Sequence, residues 1–238
     1  MKPWLKGILY SIMGILLSVV LLLTATELVS FNVGHYLNQF ERYNVPEVTG
    51  MDLENLEYTV IDMHRYLRGD DRHRLETEAY FGDELRPVYG EREILHMIDV
   101  RDLFVQGKNI RNLGALSLLI LFIIMIYKDP RWKKNSWNLL FYTMIGNIIL
   151  FGLLAFLMYV DFNRYFVIFH LIFFDNDLWL LNPQTDTLIQ MLPQPFFYNS
   201  AYMITGIYGG SMIFLGGLGL FMKKSQGKRQ GKRGEILR

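Results

Sequence analysis

Apolar positions in this chain gather into long blocks separated by charged stretches, and the blocks have the length of membrane spans. Residues 7–29, 111–127, 137–160 and 201–222 are each nearly unbroken apolar runs, and a helix needs about 20 such residues to cross hydrocarbon roughly 30 Å thick. The second block is the shortest and uses a snorkelling Arg111 at its edge. Four spans place both ends of the chain on one side of the membrane. A short loop, 128–136, and the tail, 223–238, lie on that side; the longer segments 30–110 and 161–200 lie on the other. The expected fold class is therefore integral membrane and mainly α: four transmembrane helices with an extracytoplasmic α+β cap built from two outer segments.

Inside the outer segments the pattern changes period. Leu53, Leu56, Val60, Met63 and Leu67 recur at spacings of three and four, the stripe of an amphipathic helix, with Gly50 before it and Gly69 after it. The charged run Arg68-Gly-Asp-Asp-Arg-His-Arg74 follows, then Pro87 and Gly90, and a second helical pattern begins near Glu91. On that helix Arg92, His96 and Asp99 share a face, so Asp99 can hold the His96 imidazole in one orientation. In the other segment, residues 165–174 are apolar but too short to cross; they read as an interfacial or re-entrant element, or as a strand buried in the cap. Residues 178–181 and 187–191, separated by 182–186, read as a hairpin. Phe196, Phe197 and Tyr198 suit an aromatic anchor at the start of the last span.

Charge assigns the sides. Lys2 and Lys6, then Lys128, Arg131, Lys133 and Lys134, then seven lysines and arginines after residue 222 make thirteen of the 24 basic residues, against only Asp129 and Glu235. The positive-inside rule puts these three segments in the cytoplasm. The near-neutral net charge of +1 thus combines a basic inner face with an acidic outer one. The basic tail reads as headgroup attraction and an orientation signal rather than nucleic-acid binding, and no folded structure is expected after Lys223. A cleaved signal peptide is the alternative for the first block, but its apolar stretch is long and the small-residue match at Thr24-Ala25-Thr26 is poor, which favours a retained anchor.

The absence of cysteine removes disulfides, thiolate catalysis and cysteine metal ligands. No Gly-x-Ser-x-Gly elbow, phosphate-binding glycine loop or His-Glu-x-x-His helix occurs. All five histidines fall on the outer side. His35, His64 and His73 read as solvated surface residues, whereas His170 interrupts an apolar run, where a ring that titrates near neutral pH is costly to place. His96 and His170 follow different spans on the same side. Two imidazoles near a carboxylate suit proton transfer, and equally suit a zinc site with an open position; spacing does not separate the two.

The run Gly90-Glu-Arg-Glu-Ile-Leu-His-Met-Ile-Asp-Val-Arg-Asp-Leu-Phe104, with Phe169-His-Leu-Ile-Phe-Phe-Asp-Asn-Asp-Leu-Trp179 and Asp186-Thr-Leu-Ile-Gln-Met-Leu-Pro-Gln-Pro-Phe-Phe197, resembles the bacterial lipoprotein intramolecular transacylase family. The similarity covers nearly the whole chain. It implies an acyltransferase that moves the sn-2 acyl chain of a diacylglyceryl-cysteine lipoprotein to its own N-terminal α-amino group, giving the lyso form. It implies His96 and His170 as the catalytic pair, Asp99 and Glu93 as orienting residues, and Asn176 and Trp179 as substrate-binding residues. No metal or cofactor is implied. The implied partners are a diacylated lipoprotein and membrane lipid, with no nucleic acid, and the implied location is the cell membrane, both termini cytoplasmic and the site at the outer leaflet. Apolar surroundings favour His170 as the base, since they keep the ring neutral. The alternative class is a non-enzymatic sensor or assembly protein that binds a ligand or metal through its outer histidines. A transporter fits less well, because the spans hold few internal charges and no pair of broken helices.

Overall fold

The computed structural model describes residues 1–70 and 74–236, the last eleven as backbone only; His73 lies outside the described residues. In chain order the elements are α1 (Pro3–Ser30), α2 (Val33–Arg42), α3 (Val45–Thr49), α4 (Leu53–Leu67), β1 (Glu78–Phe81), β2 (Glu84–Pro87), α5 (Glu91–Lys128), α6 (Trp132–Val160), α7 (Phe162–Phe173), α8 (Thr187–Met191) and α9 (Gln194–Ile236). Helices α1, α5, α6 and α9 are long and apolar enough to cross a membrane. Helix α5 runs unbroken from the charged residues 91–108 into the apolar block. The charge density of its first part excludes that part from hydrocarbon, so the spanning segment of α5 is its second half. Helix α9 continues to Ile236, where no folded structure was expected; Lys, Arg and Gln are good helix formers, and extending an existing helix needs no new nucleus.

The chain divides into two compact units. The first contains residues 1–25, 110–159 and 204 onward. Its helices approach closely where side chains are small: a Cβ on Gly14 would collide with the Thr143 hydroxyl, and one on Gly219 with the Trp137 carbonyl. Small residues at contacts are the usual means of packing spans, since lipid and leucine are equally apolar. A polar knot joins three spans, with Ser18 Oγ 2.6 Å from Asn147 Oδ1 and 2.7 Å from the Tyr208 hydroxyl. In the loop after α5, the fully buried Asp129 takes hydrogen bonds from Lys6 Nζ at 2.8 Å and Asn135 Nδ2 at 2.6 Å.

The second unit, residues 26–109 and 160–203, has one core drawn from both outer segments. Helix α4 matches its predicted stripe: Leu56, Val60, Met63 and Leu67 are buried, and Asp52 caps the helix by accepting the Asn55 N–H at 2.8 Å. Tyr36, Phe40, Met97, Leu188, Met191 and Phe196 complete the core. His64 is buried in it against Phe31 and Tyr36, and His35 is buried with Nε2 2.8 Å from Ser200 Oγ. Both were expected at the solvated surface. Their rings serve as partly apolar packing pieces, and burial holds the pKa of each down, that of His64 to about 4.

Strand structure occurs elsewhere than predicted. Residues 178–181 form a turn and 187–191 form α8, while the antiparallel pair is β1 and β2, in the register Ala79↔Arg86 and Tyr80↔Leu85. Short apolar runs do not distinguish strand from helix by periodicity, and the tie of α8 to α5 described below decides this one. The observed hairpin turns at Gly82-Asp83, with Gly82 at φ 63°, the left-handed first position that a two-residue turn needs. The run 165–174 falls on a helix, not a strand, and α7 covers most of it.

Candidate active site

The second turn of α5 and the last turn of α7 bring His96 and His170 together. Their ring centroids lie 6.3 Å apart, inclined at 33°, and each residue is only 7% exposed. His170 belongs to a seam of every fourth residue, Phe162, Phe166, His170 and Phe174, which α7 turns inward. Its Nδ1 is 2.7 Å from the Phe166 carbonyl oxygen. A carbonyl only accepts, so Nδ1 carries the proton and Nε2 is left with a free lone pair. Trp179 stacks on the same ring at 4.7 Å and 30°, and Phe166, Phe169 and Phe174 surround it. Burial lowers the His170 pKa, with the Phe166 bond opposing it.

His96 packs edge-on against Phe174, with centroids 5.3 Å apart. Its Nδ1 is buried and has no hydrogen-bond partner among the described residues. Burial first, then neighbouring His170, hold its pKa down at about 4; the Asp99 carboxylate pulls weakly the other way. Both imidazoles are therefore neutral at neutral pH.

The Asp99 carboxylate does not hold the His96 ring. Its Oδ2 accepts from Asn176 Nδ2 at 2.8 Å. Asn176 in turn accepts the Leu178 N–H through Oδ1, and its backbone carbonyl accepts from Trp179 Nε1, both at 3.0 Å. The carboxylate thus reaches His170 through Asn176 and the stacked indole. Asn176 is donor and acceptor at once, which a carboxylate and a backbone N–H on opposite sides require. Arg92, one face-step before His96, reinforces the same turn: it donates to the Asp177 carbonyl and pairs with the Asp177 carboxylate at 3.3 Å.

Glu93, three residues before His96 on α5, is engaged by backbone donors. Its two oxygens accept the Gly90 and Leu188 backbone N–H groups, both at 2.6 Å. The first bond is half of a capping box at the α5 N-terminus; the second ties α8 to α5. Burial raises the Glu93 pKa, and the two backbone bonds oppose the rise. His35 and His64 stay in the core and do not join the pair. Among the described residues, no group of three or more His, Cys, Asp and Glu side chains converges as metal ligands would. Sequence reasoning did not single out Phe166, whose carbonyl fixes the His170 tautomer; its place four residues before His170 on a helix is the signal that would have found it.

The profile of the family described as "Lipoprotein intramolecular transacylase Lit" matches residues 11–197. An uncharacterized protein of Aquifex aeolicus, strain VF5, is 28% identical over 143 residues, 59% of this chain; the match spans 62% of that relative's length. Among solved structures, the membrane integral lipoprotein intramolecular transacylase Lit from Bacillus cereus superimposes with a TM-score of 0.73 at 18% identity, covering 94% of this chain and 99% of that one. A variant of it with one histidine replaced by arginine gives 0.71 at 19% identity, covering 94% and 95%. At such identities the likeness is one of fold. With its four apolar helices, the chain is a multi-pass membrane protein.

Proposed function

The chain belongs to the lipoprotein intramolecular transacylase family, and from that premise we propose that it moves the sn-2 acyl chain of a diacylglyceryl-cysteine lipoprotein to the cysteine's own α-amino group. The observation that carries this reading is the pair of neutral, facing imidazoles, one with its tautomer fixed by a backbone carbonyl. Substrate supplies both the nucleophile and the electrophile, so a cysteine-free chain needs only to align them and move a proton. Alignment alone is worth several kcal/mol of barrier, on the order of 7–11 in well-oriented intramolecular reactions.

The amine nitrogen attacks the sn-2 ester carbonyl carbon, a C–N bond forms and the carbonyl oxygen becomes an oxyanion. The His170 Nε2 lone pair takes the proton that the nitrogen sheds. Collapse of the tetrahedral intermediate breaks the bond from carbonyl carbon to glycerol oxygen, and the departing oxygen receives that proton. No net proton is consumed, and the base is regenerated neutral. His96 acts beside it as hydrogen-bond donor to the oxyanion or as the proton's relay to the glycerol oxygen. Asp99, Asn176 and Trp179 act as positioning residues for His170. The site faces the outer leaflet with both termini cytoplasmic, the orientation the basic segments favour.

The test is mass spectrometry of the N-terminal lipopeptide of one lipoprotein, co-expressed with this chain in a host that otherwise makes only the diacylglyceryl form. The expected product has unchanged total mass with one chain on nitrogen and one on glycerol. His96→Ala and His170→Ala proteins that accumulate in the membrane should each leave the lipopeptide unconverted. Wild-type product from either variant would falsify the dyad.

A further inference from the structure

Helix α7 exposes side chains that water would disfavour. Of residues 167–173, every one except His170 is large, apolar and exposed: Val167, Ile168, Phe169, Leu171, Ile172 and Phe173, with Leu171 and Ile172 at 66% and 70%. The side turned to the protein is the seam through Phe162, Phe166, His170 and Phe174, with the half-buried Tyr165 beside it. Polar residues are confined to the ends, with Asp161, Asn163 and Arg164 at the start and Asp175 and Asp177 just beyond the last turn. Apolar area left in water costs about 25 cal/mol per Å², and contiguous patches of this kind mark an interaction surface.

What covers the patch is indicated by the chain before it. Helix α6 ends at Val160, and none of its apolar window is buried, as suits a span that faces lipid. A single residue, Asp161, separates α6 from α7, so the start of α7 lies within about 8 Å of the end of that span along the chain. The exposed arc carries no charge or hydrogen-bonding group with which a protein partner would set register. At twelve residues α7 is about 18 Å long, too short to cross.

We propose that α7 is immersed in the leaflet at which α6 ends, with the acyl chains of that leaflet covering Val167, Ile168, Leu171 and Ile172, and with Arg164 and Asp177 at headgroup level. His170 lies on the same helical turn as the immersed Leu171 and Ile172, on the opposite side. The imidazole is thereby held at the depth of lipid ester groups. A diacylglyceryl substrate reaches it sideways, its acyl chains still in hydrocarbon. This consequence for access rests on the transacylase reading; the immersion itself does not.

The absence of native cysteine makes the test direct. Single-cysteine variants Ile172→Cys and Leu171→Cys, with Phe156→Cys on α6 and Glu84→Cys on β2 as references, are nitroxide-labelled and reconstituted in phosphatidylethanolamine and phosphatidylglycerol nanodiscs. Power saturation then compares collisions with oxygen and with a water-soluble nickel chelate, no lipoprotein being present. Labels at 171 and 172 should resemble the one at 156, relaxed more by oxygen, and oppose the one at 84. Greater relaxation by nickel at both positions overturns the proposal in favour of a wet surface. Immobile labels shielded from both reagents also overturn it, since they mean that a second copy or another protein covers the patch. Neither readout uses activity, so failure of the catalytic assignment leaves this result standing and the reverse is also true.

Discussion

Asn176 joins the two halves of the site. It donates to Asp99 and accepts from Leu178, and its backbone carbonyl receives the indole N–H of the residue stacked on His170. Asn176→Asp keeps the acceptor for Leu178 but sets a carboxylate against the Asp99 carboxylate. The turn should loosen and production of the lyso form should fall at least tenfold, which lipopeptide mass spectrometry reads. Asp99→Asn combined with Asn176→Asp recreates the same hydrogen bond with donor and acceptor exchanged, and should recover activity to within a few-fold of wild type. A double variant no better than the single one would remove Asn176 from the positioning role. Much of the α5 half of the site is legible in the sequence, because Arg92, His96 and Asp99 stand on one helix at fixed spacings. The link from Asp99 to Asn176 crosses 77 residues, and no periodicity carries such a contact. That His96 and His170 meet was likewise open from spacing and came from the resemblance; in the fold both rings pack against Phe174.

At the scale of elements, α5 is started by its own third residue. Glu93 satisfies the N–H of Gly90 and that of Leu188, so one carboxylate both begins the helix that carries His96 and anchors α8. Glu93→Gln keeps one carbonyl acceptor where two N–H groups need one each, and it buries an amide N–H₂ in their place. A buried polar group left without its partner costs about 1–3 kcal/mol. The variant should therefore unfold at a lower temperature in detergent, with Glu93→Ala lower still, and an unchanged melting temperature in both would show that the two bonds are dispensable. The spans and α4 were legible because long apolar blocks and a sustained stripe at spacings of three and four are strong signals. The hairpin was not, since β2 is exposed throughout and only Gly82-Asp83 marks it. Helix α8, five residues long, was mistaken for a strand because its identity depends on Glu93, 95 residues away from Leu188.

The two units respond to acid through different groups, and the sign follows from where each pKa lies. In the second unit, His35, His64, His96 and His170 are buried with pKa values held below the ordinary 6.5, two of them at about 4. The unfolded chain takes up these protons first, so stability is full above about pH 6.5 and is lost as pH falls toward 4. For His64 and His96, whose values lie near 4, the slope approaches about 1.4 kcal/mol per pH unit each in that window; His35 and His170 act in the same direction. Asp129 in the first unit is opposite in kind: burial alone would raise its pKa, but bonds from Lys6, Asn135, the Arg131 backbone and Tyr10 bring it to about 2. Its contribution is present above the ordinary carboxylate value and lost only as pH falls from about 4 toward 2. Mild acid should thus weaken the second unit while the Lys6–Asp129 tie stays intact. His64 isolates the effect, since its ring packs against Phe31 and Tyr36 rather than against His96 or His170. His64→Phe forfeits a hydrogen bond to the Ser30 backbone, so its melting temperature at pH 7.5 will differ from wild type in either direction. The quantity that matters is the slope between pH 6.5 and 4.5, which should become shallower because one buried, proton-refusing ring is gone. An unaltered slope would mean that His64 keeps its ordinary affinity for protons in the folded state and that its burial does not govern the acid response.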